Sequence, residues 1–316
     1  MELLWIILGI LAGLALVILP TTYICYRMAF YSAPRKPTCS DAIDFPEGEI
    51  YEPFKLSMEK WAKQVRAMPH ENVEITSFDG LKLRGKYYEY EPGAPIELMF
   101  HGYRGSGERD LNGGVQRCFK LGRSALIVEQ RASGVSEGNV ITFGVNEQKD
   151  CLTWLAFMET RFGSDARIIL TGISMGASTV LMAAGRKLPK TVIGVLADCG
   201  YSSQKEIIKK VIRQLKLPAD MLYPFVKLGA RIFGKFNLEE VTPLEAVKRA
   251  TVPIIFFHGE NDDFVPCQMS RDLYEACASP KKLVTVPEAG HGLSYPVQPQ
   301  AYLSALREFF GPEASS

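Results

Sequence analysis

Residues Gly172-Ile173-Ser174-Met175-Gly176 follow a short apolar run at 168–170 and precede the small-residue run Ala177-Ser178-Thr179-Val180-Leu181. A GxSxG between a strand and a helix places a serine on a tight turn, where its hydroxyl can serve as a nucleophile. Crowding explains the glycines, because neighbours two positions from Ser174 must lack bulk for the chain to pass. The helix that follows points its N-terminal amides and positive dipole end at the serine. A serine hydroxyl reacts only when a base takes its proton. The chain has four histidines. His70 lies in a helix-ending turn before the first strand. His101 and His258 each end an apolar strand and precede glycine, which suits a structural place at the rim of a sheet. His291, in Ala289-Gly290-His291-Gly292, sits in a loop after the last strand and completes the chain order serine, acid, histidine. The acid comes from His258-Gly259-Glu260-Asn261-Asp262-Asp263-Phe264-Val265-Pro266. Asp262 is favoured as the first loop position facing back, Asp263 is second, and Asp198 at an earlier strand end is third. Its task is to fix the imidazole tautomer and stabilise the imidazolium.

An acyl-transfer site also needs donors for a developing oxyanion. The amide of Met175, after the nucleophile, is one. The other is expected from His101-Gly102-Tyr103-Arg104-Gly105, with Tyr103 as donor. The candidate catalytic set is therefore Ser174, Asp262 and His291, with Tyr103 and Met175 as backbone donors. No cofactor and no metal is expected; the seven cysteines show no CxxC pair, and most fit as small buried hydrophobes.

The elements that position these residues can be read from periodicity. Residues 73–76 alternate, Asp79-Gly80 is a hairpin turn signal, and 81–87 alternate again. Short apolar runs at 96–100, 125–128, 168–170, 192–197, 254–257 and 283–286 are separated by helical stretches, the pattern of a mostly parallel sheet buried on both faces. The opening hairpin belongs on an antiparallel edge. About 50 residues separate the strands near 198 and 253, too many for an ordinary connection. Within it, 204–236 carry eight Lys or Arg against two acids, interleaved with Ile207, Ile208, Val211, Ile212, Phe225, Val226 and Phe233. This predicts amphipathic helices folded as a cap over the sheet. Upstream, Leu56, Trp61, Val65 and Met68 recur at helical spacing on a helix packed against the domain, after a linker at 33–53 with four prolines.

Residues 3–26 contain no charge. At about 1.5 Å per residue the run reaches roughly 36 Å, enough for a hydrocarbon core of about 30 Å. It lacks the basic start and small-residue cleavage site of a signal peptide, so an uncleaved transmembrane anchor is expected. Arg27, Arg35 and Lys36 follow it and favour a cytoplasmic catalytic domain on a single-pass membrane protein. A formal charge of +1 gives no electrostatic case for nucleic acid as a partner. The expected organisation is an anchor at 1–27, a linker and helix at 28–70, and an α/β domain at 71–312 with its cap at about 204–250.

The series His101-Gly102-Tyr103-Arg104-Gly105, Gly172-Ile173-Ser174-Met175-Gly176, His258 through Pro266 and Ala289-Gly290-His291-Gly292, in this order, resembles the α/β-hydrolases. More narrowly, it is similar to the membrane-anchored bacterial group of serine aminopeptidase S33-like or YqkD-like hydrolases, over residues 72–310. The resemblance implies the α/β-hydrolase fold, Ser174, Asp262 and His291 as the triad, and Tyr103 and Met175 lining the oxyanion hole. One departure is Glu129-Gln130-Arg131-Ala132-Ser133-Gly134, where relatives carry Asp, then Arg and His-Gly; it bears on substrate preference only. The expected activity is hydrolysis of carboxylic esters, of a small molecule or a lipid, through an acyl-enzyme. A peptidase or an acyltransferase would use the same groups, and a binding protein would not need the complete set.

Overall fold

The computed structural model describes the whole chain except residues 34–44, 47 and 312–316. The chain begins with helix α1 (Glu2–Ala29), a short 3-10 turn (Glu49–Phe54) and α2 (Lys55–Ala67). The sheet follows: β1 (Glu71–Thr76), β2 (Lys82–Tyr88), β3 (Ile96–Phe100), α3 (Gly107–Lys120), β4 (Ser124–Val128), α4 (Glu147–Phe162), β5 (Ile168–Ile173), α5 (Met175–Ala184) and β6 (Val192–Asp198). A helical insertion comes next, α6 (Gln204–Gln214), α7 (Ala219–Ile232) and α8 (Pro243–Val247), and then β7 (Ile254–Gly259), α9 (Cys267–Ala276), β8 (Lys281–Val286), α10 (Ser294–Val297) and α11 (Pro299–Phe310).

The eight strands lie in the order β1-β2-β4-β3-β5-β6-β7-β8. β3 through β8 run parallel, while β2 is antiparallel to both β1 and β4, so the Asp79-Gly80 hairpin forms the antiparallel edge. The central strands read as unbroken apolar runs because helices cover both faces. Ile168 and Leu170 of β5, with Ile254 and Phe256 of β7, pack with Trp154 of α4 and Leu181 of α5. Ile169, Ile255 and Phe257 point the other way, onto Tyr302 and Leu306 of α11, as a period of two requires.

The insertion forms three helices that pack as a cap on the domain. Ile207, Ile208 and Ile212 of α6 and Tyr223 and Val226 of α7 turn inward and share a core with Phe143, Met175 and Tyr201. Lys205, Arg213, Lys216 and Lys227 are exposed, whereas Lys209 is half-buried and pairs with Asp220 at 2.7 Å.

Two expectations upstream are corrected. Leu56 is 82% exposed, while Trp61, Val65 and Met68 of the same stripe pack on the domain, joined by Ala62. The stretch read as an extended linker contains, among its described residues, the turn Glu49–Phe54, which packs on the loop bearing His291. Much of the rest of that stretch lies outside the described residues. Among the described residues no helix is long and apolar enough to cross a membrane. In α1, Leu3, Trp5, Ile6, Leu16 and Val17 are exposed, whereas Thr22 and Tyr26, with Phe30 just beyond, are buried against the domain.

A cluster of charged residues lies in the interior around β3. Glu97 of β3 is fully buried and accepts from Arg123 Nη1 at 2.9 Å, from Thr171 Oγ1 at 2.9 Å and from Arg117. Burial opposes its charge, but the two guanidiniums more than offset that, and its pKa falls from 4.5 to about 2. Replacing Glu97 by Gln would leave two buried cations underpaired, with an expected loss of about 3–5 kcal/mol in urea unfolding. Because the folded-state pKa is depressed, this stabilisation is complete above pH 4.5 and is lost as pH falls through about 2. The Gln variant should therefore show a flatter loss of stability with acid over that window.

Candidate active site

β5 ends at Ile173 and α5 begins at Met175, which leaves Ser174 as the joint, with φ 55° and ψ −118°. A non-glycine residue there carries strain of about 1–3 kcal/mol, and its neighbours show what maintains it. A Cβ on Gly172 would lie 2.2 Å from the backbone of Gly176, and one on Gly176 would lie 2.1 Å from the carbonyl oxygen of Phe100. The turn is closed by the Ser174 amide, which donates to the Asp198 carbonyl at 2.8 Å. Ser174 thus stands at the C-terminal edge of the sheet, where ligands bind in open α/β folds.

Two loops from neighbouring strands converge on it. His291, after β8, places Nε2 2.9 Å from Ser174 Oγ and Nδ1 2.7 Å from Asp262 Oδ2. Asp262, after β7, accepts on Oδ1 from the amides of Phe264 at 3.0 Å and Val265 at 2.8 Å. A carboxylate can only accept, so Nδ1 carries the ring proton and Nε2 is left to accept from the serine hydroxyl. Burial works against the charge on Asp262. Hydrogen bonds from His258 and His291 more than offset it and hold the carboxyl far below the usual range.

The other candidates fall elsewhere. Asp263 is exposed, and its carbonyl accepts from Lys210 of the cap. Asp198 turns to the opposite side, accepting from Ser294 Oγ at 2.9 Å and Tyr302 Oη at 3.0 Å. Burial raises its pKa although both hydroxyls work against that. His70 is exposed beside Tyr88. His101 is fully buried, with Nε2 accepting the Gln130 amide at 3.1 Å.

Tyr103 and Met175 flank the serine. Met175 opens α5, in the first turn, where amides have no intrahelical acceptor. Tyr103 follows Gly102, whose amide donates to Asp110 Oδ2 at 2.9 Å and whose notional Cβ would sit 3.5 Å from Ser174 Cβ. The loop after β4 braces this region without touching Ser174. Glu129 accepts the Gly107 amide at 3.0 Å. Arg131 is held by Asp150 at 2.6 and 2.7 Å and by Asp79 at 2.9 and 3.0 Å.

Two cavities meet at Ser174. The outer one, about 550 Å³, is lined by His291, Arg109, Asp110, Glu49 and Asp263. The inner one, about 270 Å³, runs beneath the cap past Met175, Tyr201, Ile208 and Ile212. Among the described residues, Cys199, Asp262 and His291 form the one group with donor atoms suited to a metal, all within 4.8 Å of one another. Two of them already belong to the hydrogen-bonded chain, and burial pushes the Cys199 thiol well up, away from the thiolate a metal requires.

A profile of the prolyl oligopeptidase family matches residues 142–315, more than half of the chain. The chain belongs to this family. It is an α/β-hydrolase. YqkD of Bacillus subtilis is 28% identical over 190 residues, spanning 60% of this chain and 62% of YqkD, so this chain covers less than two thirds of that relative. YfhR of Escherichia coli is 24% identical over 282 residues, 85% of this chain and 86% of YfhR. Among solved structures, an esterase of Pyrococcus furiosus superposes with a TM-score of 0.65 at 23% identity, over 78% of this chain and 92% of that one. Est1E of Butyrivibrio proteoclasticus, with ferulic acid bound, gives 0.57 at 18% identity, over 75% and 97%. These two likenesses concern the fold.

The sequence reading gave His258 only a structural place at the sheet's rim. It is fully buried, with Nε2 facing two acceptors, the Val265 carbonyl at 2.8 Å and Asp262 Oδ2 at 3.2 Å, so it is a second donor to the acid. Its spacing four residues before Asp262 was the available signal. Replacing His258 by Leu removes this donor and should raise the Asp262 pKa toward the ordinary 3.8. His258→Gln, which can keep an N–H in reach, should restore most of the depression, as read by isotope-edited NMR of the carboxyl.

Proposed function

We propose that this α/β-hydrolase cleaves carboxylic esters, with Ser174 as nucleophile, His291 as general base and Asp262 as its orienting acid. The observation that carries the reading is the continuous hydrogen-bonded chain from Asp262 through His291 to Ser174, ending where an apolar cavity meets one that also carries charged side chains. Ser174 Oγ attacks the ester carbonyl carbon while its proton passes to His291 Nε2. The amides of Tyr103 and Met175 receive the oxyanion, each worth about 2.7–4 kcal/mol in such sites. Collapse breaks the bond to the leaving oxygen, which takes the proton from His291 as an alcohol. Water then repeats the sequence on the acyl-enzyme and releases a carboxylic acid. None of these steps calls on a metal or cofactor.

A second reading has one observation in its favour. Glu49, Asp110 and Asp263 bring carboxylates to the outer cavity, where a free amino terminus would find counter-charge. An S33-like aminopeptidase would use such a cavity, and the family's name points the same way. The ester reading is preferred because Arg109 lies among those carboxylates while the inner cavity presents hydrocarbon.

The proposal includes a single-pass anchor in the cell membrane, with the catalytic domain on the cytoplasmic side. It is supported by the uncharged run 3–26 and by the exposed Leu3, Leu4, Trp5, Ile6 and Ile7 of α1. The basic residues Arg27, Arg35 and Lys36 lie beyond it.

Ser174→Ala should abolish labelling by a fluorophosphonate and lower ester hydrolysis on the order of a million-fold; labelling at the wild-type rate would remove Ser174 from the mechanism. Across matched substrates, p-nitrophenyl esters should outpace aminoacyl-anilides, and the reverse order would favour the peptidase. Membrane fractionation with an impermeant thiol label should recover the chain with membranes and leave its domain unlabelled in intact cells.

A further inference from the structure

The inner cavity has a wall that the hydrolase domain does not supply. One side is formed by Ile208 and Ile212 of α6 and Val226 of α7; facing them are Cys25, Met28 and Ala29, from the last two turns of α1. That end of α1 is built into the domain. Phe30 is fully buried, with edge-on contacts to Phe143 at 5.8 Å and Phe236 at 5.2 Å. Gly229 of α7 allows the close crossing, since a Cβ there would lie 2.9 Å from the Thr22 carbonyl. The Phe30 carbonyl accepts the Ile141 amide at 2.8 Å.

The same turn grips the loop that carries the Tyr103 amide. Tyr103 Oη donates to the Ala29 carbonyl at 2.8 Å, and Arg104 donates to the carbonyls of Met28 at 2.9 Å and Tyr31 at 3.1 Å. Carbonyls at a helix C-terminus have no intrahelical donor and carry the negative end of the dipole, so a guanidinium and a phenol suit them.

The cavity's polar groups are already committed. Tyr103 Oη is bonded to Ala29, and Tyr201 Oη donates to the Phe143 carbonyl at 3.0 Å. An amino group or a peptide bond placed there would lose its water partners and gain none, whereas an aliphatic chain loses nothing.

We propose that α1 is the specificity wall of the acyl site: the ester's acyl group is an unbranched aliphatic chain of medium length that lies along Cys25 and Met28. This rests on the ester-hydrolase reading and deepens it. Each methylene buried on that wall should raise kcat/KM roughly fourfold until the cavity is filled.

The full chain in detergent micelles, assayed with p-nitrophenyl esters from acetate to palmitate, tests the assignment. Wild type should climb from acetate to a medium-chain optimum. Cys25→Trp and Met28→Trp should move the optimum to shorter chains, read as each variant's rates relative to its own acetate rate. Met28→Ala, which opens space instead of filling it, should move the optimum to longer chains, so a misfolded Trp variant does not leave the question open. Unchanged chain-length profiles in all three variants, with labelling intact, would overturn the proposal and leave ester hydrolysis standing. If wild type is labelled yet cleaves anilides and no ester, the hydrolase reading fails on its substrate and takes this assignment with it.

Discussion

The fold around the site depends on a close approach of backbone to backbone. Gly176, in the first turn of α5, passes so near the carbonyls of Phe100 and His101 that any side chain there would collide with them. This contact is possible because β3 and β5 are parallel neighbours, with Phe100 paired to Gly172. Three consequences follow from one constraint. Ser174 is forced into a left-handed turn and projects above the sheet. The Met175 amide is brought to the same side as its hydroxyl. The chain leaving β3 has to turn beside the serine, so the Tyr103 amide comes from that loop and no other. The strain at Ser174 is maintained by the packing of two glycines and not by any bond of the serine's own side chain.

Charge placement separates two aspartates at adjacent strand ends. Asp198 and Asp262 are both buried, and burial raises the pKa of each. Asp198 meets two neutral hydroxyls, which do not offset the desolvation. Asp262 meets two imidazole nitrogens and two backbone amides, and these overcome it. The first is pushed toward the protonated form and the second is held ionised, although residue type and depth are alike. An ionised carboxylate can only accept, and so keeps the proton on His291 Nδ1. The distinction therefore lies in the donors around each group and not in its distance from the sheet.

That distinction marks the boundary of what was legible in the sequence. The strands could be read because runs such as 168–170 and 254–257 are apolar on successive residues, which only a doubly covered sheet requires. Ser174 and His291 could be read because GxSxG between strand and helix leaves little freedom, and because His101 and His258 end strands while His70 precedes the first one. Asp262 and Asp263 could only be ranked, since adjacent residues in a loop differ by which way the backbone turns. His258 reads as a rim residue, and its spacing four residues before Asp262 is the one trace of the contact its ring makes. The role of the Tyr51 hydroxyl, which donates to the His291 carbonyl at 3.0 Å, was invisible. It arises from a chain segment whose prolines suggest only extension. Contacts between elements far apart in sequence leave no periodic trace.

The same reasoning changes how the N-terminal helix should be regarded. An anchor joined to an enzyme by a linker would be dispensable to the chemistry, and the uncharged run 3–26 invites that view. Instead, the helix divides between two environments. Up to Val17 it exposes Leu3, Trp5, Ile6, Leu16 and Val17, while Thr22, Tyr26 and the following Phe30 are buried against the domain. Leu19 is exposed and Cys25 lines the inner cavity; six residues of helix separate them by about 9 Å. Under the proposed anchoring, the acyl cavity would begin within that distance of the hydrocarbon. A chain leaving the bilayer would then pass from one apolar surface to another with little exposure to water, at a cost of about 0.8 kcal/mol for each methylene left wet. Cutting the helix away would remove the cavity wall and the carbonyls that grip Tyr103 and Arg104, so the proposed attachment and the shape of the site would be properties of a single element.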